Sequence, residues 1–252
     1  MPTIFSRLLG SLLPLALSGA ALAGEVQVAV AANFSAPMQA LAAQFAQASG
    51  HQALLSFGST GKFYAQISNG APFDILLSAD RSTPATLISD GSAVPGSQFT
   101  YASGRLVLWS AQPGRVDDQG AVLERGEFAH LAISNPATAP YGAAALEVLR
   151  GLGLEQRLKN RLVQGDSITQ AYQFVASGNA ELGFIALSQV YLDGRITRGS
   201  AWQVPAERHA PLQQDAVLLT RGQANPAALA LLEHLRSAPA KALIARYGYG
   251  VD

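Results

Sequence analysis

The chain reads as an α/β protein in which mostly parallel sheets are covered by helices on both faces. Three observations predict this. Short strand-like runs recur along the whole length and alternate with segments whose apolar residues fall at helical spacing. Helical segments follow directly on the first two of these runs, as crossover connections between parallel strands require. Hydrophobic residues make up 49% of the 252-residue chain and charged residues 13%, a balance that excludes disorder and supports buried sheets.

The elements follow in order. Val26-Gln27-Val28-Ala29-Val30 is alternating and β-branched, and predicts the first strand. Met38, Leu41, Ala42 and Phe45 then mark one side of a helix. Ala53-Leu54-Leu55-Ser56-Phe57 is a second strand, residues 60–69 a second helix, and Asp74-Ile75-Leu76-Leu77-Ser78 a third strand. Arg105-Leu106-Val107-Leu108-Trp109 and Leu131-Ala132-Ile133-Ser134 are two more. Tyr141, Ala144, Ala145, Val148 and Leu149 share a helical side, as do Ile168, Ala171, Tyr172, Val175 and Ala176. Strands at residues 182–185 and 216–219 and two helical patterns, at residues 228–235 and 240–247, complete the chain.

Composition removes several classes of function. Lys+Arg and Asp+Glu are 17 each, so no basic surplus draws in nucleic acid or anionic lipid. The absence of cysteine excludes thiolate zinc sites, iron–sulfur ligation and thiol catalysis. His51, His130, His209 and His234 have no metal-ligand spacing. The first 23 residues are of another kind. Arg7 is followed by an apolar stretch and then by Ala21-Leu22-Ala23, the layout of a secretory signal peptide cleaved after Ala23. The stretch is interrupted by Pro14 and is shorter than the roughly 20 residues a membrane span needs.

Ligands of parallel sheets bind beyond the carboxyl ends of the strands, where helices begin. Four such turns are rich in hydroxyl, amide or small residues: Asn33-Phe34-Ser35, Gly58-Ser59-Thr60-Gly61, residues 135–142, and Asp166-Ser167-Ile168-Thr169. Free N–H groups and the positive end of a helix dipole favour an anion at each. Any one turn is explained as well by helix capping, for which Ser, Thr, Asn and Asp are preferred. Gly58 to Lys62 departs from a phosphate loop, which needs glycine at Ser56 and a hydroxyl residue at Phe63. Asp74, Asp80 and Asp90 read as capping and sheet-end groups rather than a metal cluster. An exported hydrolase with Ser59 or Ser134 as nucleophile would need a histidine within reach, and none is near in sequence.

At these turns the chain resembles the periplasmic molybdate-binding proteins of ABC transporters. The resemblance lies in residues 28–34, 57–62, 70–80, 135–142, 178–184 and 211–217, and in the ending Arg246-Tyr247-Gly248-Tyr249. It implies a two-lobed periplasmic binding protein of type II, each lobe a mostly parallel sheet flanked by helices, with the ligand in the interlobe cleft. The implied layout is a signal peptide at 1–23, a first lobe of 24–103 plus 215–252, and a second lobe of 104–214. The implied site residues for the oxyanion are Asn33, Ser59 or Thr60, Tyr141 and Ile168, the last through its backbone amide. Ala186 stands where other members carry a ligand-facing tyrosine, and the resemblance implies that Tyr141 substitutes for it.

The function so implied is high-affinity capture of molybdate, and of tungstate, for delivery to the membrane permease of an ABC importer, by a periplasmic monomer that is not an enzyme. No cofactor and no direct metal ligand are expected, since molybdenum is held as its oxyanion. Sulfate and thiosulfate are the alternative ligands. Such a dianion has acceptors only, so a pocket of donors satisfies every oxygen, and a donor left unpaired by protonated phosphate costs about 1–3 kcal/mol.

Overall fold

A computed structural model describes residues 23–251. The signal-peptide expectation falls almost wholly on residues 1–22, outside the described residues. The first half of the chain opens with β1 (Glu25–Ala31), α1 (Ser35–Ser49), β2 (Gln52–Gly58), α2 (Thr60–Ser68), β3 (Ile75–Leu77), α3 (Ser82–Ser89) and β4 (Phe99–Gly104). After β4 come β5 (Leu106–Ser110), α4 (Val122–Arg125), β6 (Leu131–Ser134), α5 (Pro140–Gly151), α6 (Glu155–Leu158), β7 (Leu162–Gly165), α7 (Ile168–Ala176) and β8 (Leu182–Ala186). A hairpin of β9 (Tyr191–Leu192) and β10 (Arg195–Ile196) leads to β11 (Ser200–Gln203) and β12 (Leu212–Leu218). Two helices close the chain, α8 (Pro226–Arg236) and α9 (Ala238–Arg246).

The strands form two five-stranded sheets, in the orders β2-β1-β3-β12-β4 and β11-β5-β8-β6-β7. In the first, β1 pairs parallel with β2 and β3, while β12 lies antiparallel between β3 and β4. In the second, β6 pairs parallel with β7 and β8, while β5 lies antiparallel between β8 and β11. Four strands of each sheet thus run the same way and one runs back. The two reversed strands are β5 and β12, the first strands after the chain crosses between sheets. A chain leaving one sheet at its carboxyl edge enters the facing sheet at that sheet's carboxyl edge, so its next strand runs away from the cleft. Leu212 opposite Gly104 and Leu106 opposite Ala186 record the two crossings side by side.

Each sheet buries both faces, as alternation along the strands dictates. In β1, Val28 and Val30 pack with Phe34, Met38 and Leu41 beneath α1, whereas Ala29 packs with Phe63, Leu76 and Val217 on the other face. In β5, Leu106 and Leu108 face the α5 side and Val107 and Trp109 the α7 side. Each fully buried Leu or Phe contributes roughly 1.5–3 kcal/mol, which makes the sheets rigid platforms for the turns at their edges. Helix α1 stops at Gly50, whose positive φ of 75° allows its N–H to bond Ala46 O.

Several elements carry weak sequence signals. Helix α3 and strands β4, β7 and β11 lie in stretches with few strong apolar residues, and they are held by packing and pairing rather than by pattern. Strand β12 starts at Leu212, earlier than the apolar run at 216–219, because Gln213 and Gln214 pair with β4.

Candidate functional site

The carboxyl ends of β1, β2 and β3 face those of β6 and β7 across one small pocket. Its lining is Ala31, Ala32 and Asn33 after β1, Gly58, Ser59 and Thr60 after β2, Ala79 after β3, Ala139, Pro140 and Tyr141 at the start of α5, and Ile168 at the start of α7. All five residues singled out from sequence, Asn33, Ser59, Thr60, Tyr141 and Ile168, are therefore brought together. Ala186 lies fully buried at the end of β8 and is absent from this lining. The cavity is small, about 10 Å³, roughly the room needed by one water molecule.

The lining carries no charged side chain. Lys62, one turn into α2, instead pairs with Asp166 across the cleft at 2.8 Å, both exposed. Two further contacts join the facing edges: Gly61 N–H donates to Thr138 O at 2.9 Å, and Thr169 Oγ1 donates to Ala32 O at 3.3 Å. A Cβ on Gly61 would lie 3.0 Å from Thr138 Cα, so the bare glycine permits this approach.

Polar residues at helix starts differ in what they do. Ser167, Asn225 and Ser237 cap their helices, each accepting from a first-turn N–H. Ser59 precedes α2 in the same way, with extended backbone, yet its side chain makes no cap bond. Its Oγ is buried without a hydrogen-bond partner. Thr60 Oγ1 accepts from Ala79 N–H at 3.0 Å, which leaves its own proton available to donate. Capping thus explains the fourth turn, not the second.

Asn33 is placed otherwise than its side chain alone suggests. Its Nδ2 donates to Gln214 Oε1 at 2.8 Å and to the Tyr249 hydroxyl at 3.0 Å, so both amide protons are spent inside the protein. What Asn33 offers the pocket is its place in the 3-10 turn at Ala32–Phe34, where the opening N–H groups have no intrahelical partner. Ile168 is the first residue of α7, and its N–H is of the same kind. Tyr141 is buried, and Gln214 Nε2 donates to its hydroxyl at 3.1 Å. Burial, with Tyr249 and Tyr101 close by, holds the Tyr141 pKa well above the phenolic value of 10.0. Burial likewise raises Tyr101, and lifts Tyr249 to about 12. All three stay protonated near neutrality. Sequence reasoning did not single out Gln214, Tyr101 or Ser188, since a lone polar residue on a strand or turn has no pattern.

Two lobes, one cleft and a small uncharged pocket of N–H and O–H groups define a protein that holds a ligand rather than converts it. The chain belongs to the bacterial extracellular solute-binding proteins, a family that matches residues 26–250. Among its relatives, the molybdate-binding protein ModA of Azotobacter vinelandii is 58% identical over 98% of both chains. That of Rhodobacter capsulatus is 51% identical over 98% of this chain and 94% of its own. The solved Azotobacter vinelandii periplasmic molybdate-binding protein superposes with a TM-score of 0.87, at 43% identity, covering 90% of this chain and 99% of that one.

Proposed function

We propose that this chain captures molybdate or tungstate in the periplasm and delivers it, as a monomer, to the membrane permease of an ABC importer. The relatives named for molybdate support the ligand. The observation that carries the reading is the convergence of four strand-to-helix turns on one uncharged pocket where Ser59 Oγ is buried and unpartnered. The donors assigned to the oxyanion are the backbone N–H groups at Asn33 and Ile168 and the hydroxyls of Ser59, Thr60 and Tyr141. Oriented dipoles in a site shielded from water supply the electrostatics in place of a cation.

The lobes assigned to this mechanism are 24–103 plus 215–252 and 104–214, with export through residues 1–23 and cleavage after Ala23. Sheet membership supports the division to within a few residues, since β4 ends at Gly104, β5 begins at Leu106, and β12, which pairs with β3 and β4, begins at Leu212. A ligand that bonds both lobes stabilises the closed arrangement by its differential affinity for it. A serine hydrolase lacks its base, because Ser59 Oγ and Ser134 Oγ have no hydrogen-bond partner.

Calorimetric titration of the purified chain with molybdate, tungstate, sulfate, thiosulfate and phosphate tests the reading. Tight binding of the first two and none of phosphate is expected. Equal affinity for sulfate and molybdate would refute the assignment of ligand.

A further inference from the structure

We infer that Gln214 is a positioning residue of the pocket: by donating to the Tyr141 hydroxyl it leaves that hydroxyl only the donor role toward a ligand, and so biases the site toward anions that carry no proton of their own. This rests on the oxyanion reading above.

The direction of each hydrogen bond follows from a backbone carbonyl, which only accepts. Tyr249 Oη lies 2.8 Å from Asn33 O, so the tyrosine proton sits between these oxygens. Ser188 Oγ donates to the same carbonyl at 2.8 Å, and lies 3.0 Å from Tyr249 Oη. Having spent its proton, Tyr249 Oη accepts from the Asn33 side chain, so the atom 3.0 Å away is Nδ2. That Nδ2 also faces Gln214 at 2.8 Å, which makes the facing Gln214 atom Oε1. Tyr101 shares its proton between Ser78 O at 3.1 Å and the same Oε1 at 3.0 Å. What remains of Gln214 is Nε2, 3.1 Å from Tyr141 Oη, and an amide nitrogen only donates. Tyr141 Oη accepts there, and its own proton turns away from Gln214. The Tyr141 proton is left for Tyr249 Oη, with which it shares a side-chain hydrogen bond, or for a ligand oxygen in the pocket that Tyr141 lines.

All the side chains of this relay are buried. It sits where β4, β12 and the chain end meet, at the crossing between sheets. Gly104 makes the contact possible: a Cβ there would fall 2.0 Å from Tyr141 Oη and 2.6 Å from Gln214 Nε2. The titratable groups around Gln214 are Tyr101, Tyr141 and Tyr249, with Asp80 and Asp215 acting on Tyr101. None of the three phenols loses its proton in the mildly acidic to neutral range.

Gln214→Glu keeps the oxygen that Asn33 and Tyr101 use and replaces the donor by a carboxylate oxygen. Burial without a cationic partner raises the pKa of such a carboxyl group. Titration with sodium molybdate at about pH 8.5 should show a loss of roughly 100-fold against wild type. At about pH 5.5 the carboxyl group is protonated and donates again, so most of the loss is recovered, while wild type changes little. Gln214→Met, which removes the donor without adding charge, should cost about 10-fold at both pH values, and nothing on a Tyr141→Phe background. A pH-independent loss in the Glu variant, or a Met effect that persists on the Phe background, would overturn the assignment by reducing Gln214 to packing. If the Glu variant does not fold, the Met cycle decides. Wild-type protein that ignores molybdate overturns the oxyanion reading and this assignment with it; normal wild-type binding with either null result overturns the assignment alone.

Discussion

Removing the Ser59 hydroxyl should separate binding from folding. Ser59 Oγ is buried, does not cap α2, and has no partner in the protein. Deleting that oxygen removes no hydrogen bond within the protein. Ser59→Ala should therefore leave the ligand-free protein as stable as wild type or slightly more so. In the proposed complex the same hydroxyl would donate to a charged oxygen, an interaction of about 1.5–3 kcal/mol. Molybdate affinity should fall roughly 10–150-fold. Urea denaturation without ligand and calorimetric titration with molybdate measure the two effects separately. Unchanged affinity would remove Ser59 from the site. A ligand-free variant destabilised by more than about 1 kcal/mol would show that the hydroxyl has a structural partner, and the reasoning from its isolation would fail.

Asn33→Ala should act in the opposite sense, chiefly on the fold. It deletes the donor to Gln214 Oε1 and to Tyr249 and should lower unfolding free energy by about 1–3 kcal/mol in urea titrations. Lys62→Ala breaks an exposed ion pair across the cleft; its effect on affinity should stay below about 1 kcal/mol and vanish in high salt, as titrations at two ionic strengths would show. Stability should decline in alkali. Tyr101, Tyr141 and Tyr249 all have raised folded-state values, so their contribution is complete below 10.0 and is lost as pH rises through the folded values, for Tyr249 between 10.0 and about 12. Denaturation midpoints followed upward from about pH 9 test this, and a midpoint that stays level through that range would argue against the burial of the phenols.

Strands β1, β5, β6 and β8 were legible because burial on both faces writes itself as composition, and the partly buried edge strand β2 through its apolar run. The helices α1, α5, α7, α8 and α9 were legible through spacing. Strands β4, β7 and β11 were not, because their pairing comes from neighbours distant in the chain. The reversed direction of β5 and β12 is likewise a property of the crossing, which no local pattern encodes. The five candidate residues, named through the family resemblance, line one pocket because their strand-to-helix turns lie at the facing sheet edges.

What the sequence by itself determined is which turns carry donors: hydroxyl, amide and small residues at helix starts supply them wherever those helices point. What only the tertiary structure decided is which donors remain unspent. Ser167 turns inward to cap α7 while Ser59 does not cap α2, and the Asn33 amide goes to Gln214 and Tyr249. The physical reason is that a proton is donated to whatever acceptor lies nearest. That acceptor belongs to residues some 180 to 216 positions away for Asn33, so its presence is settled only when the two sheets are folded and the chain end is in place.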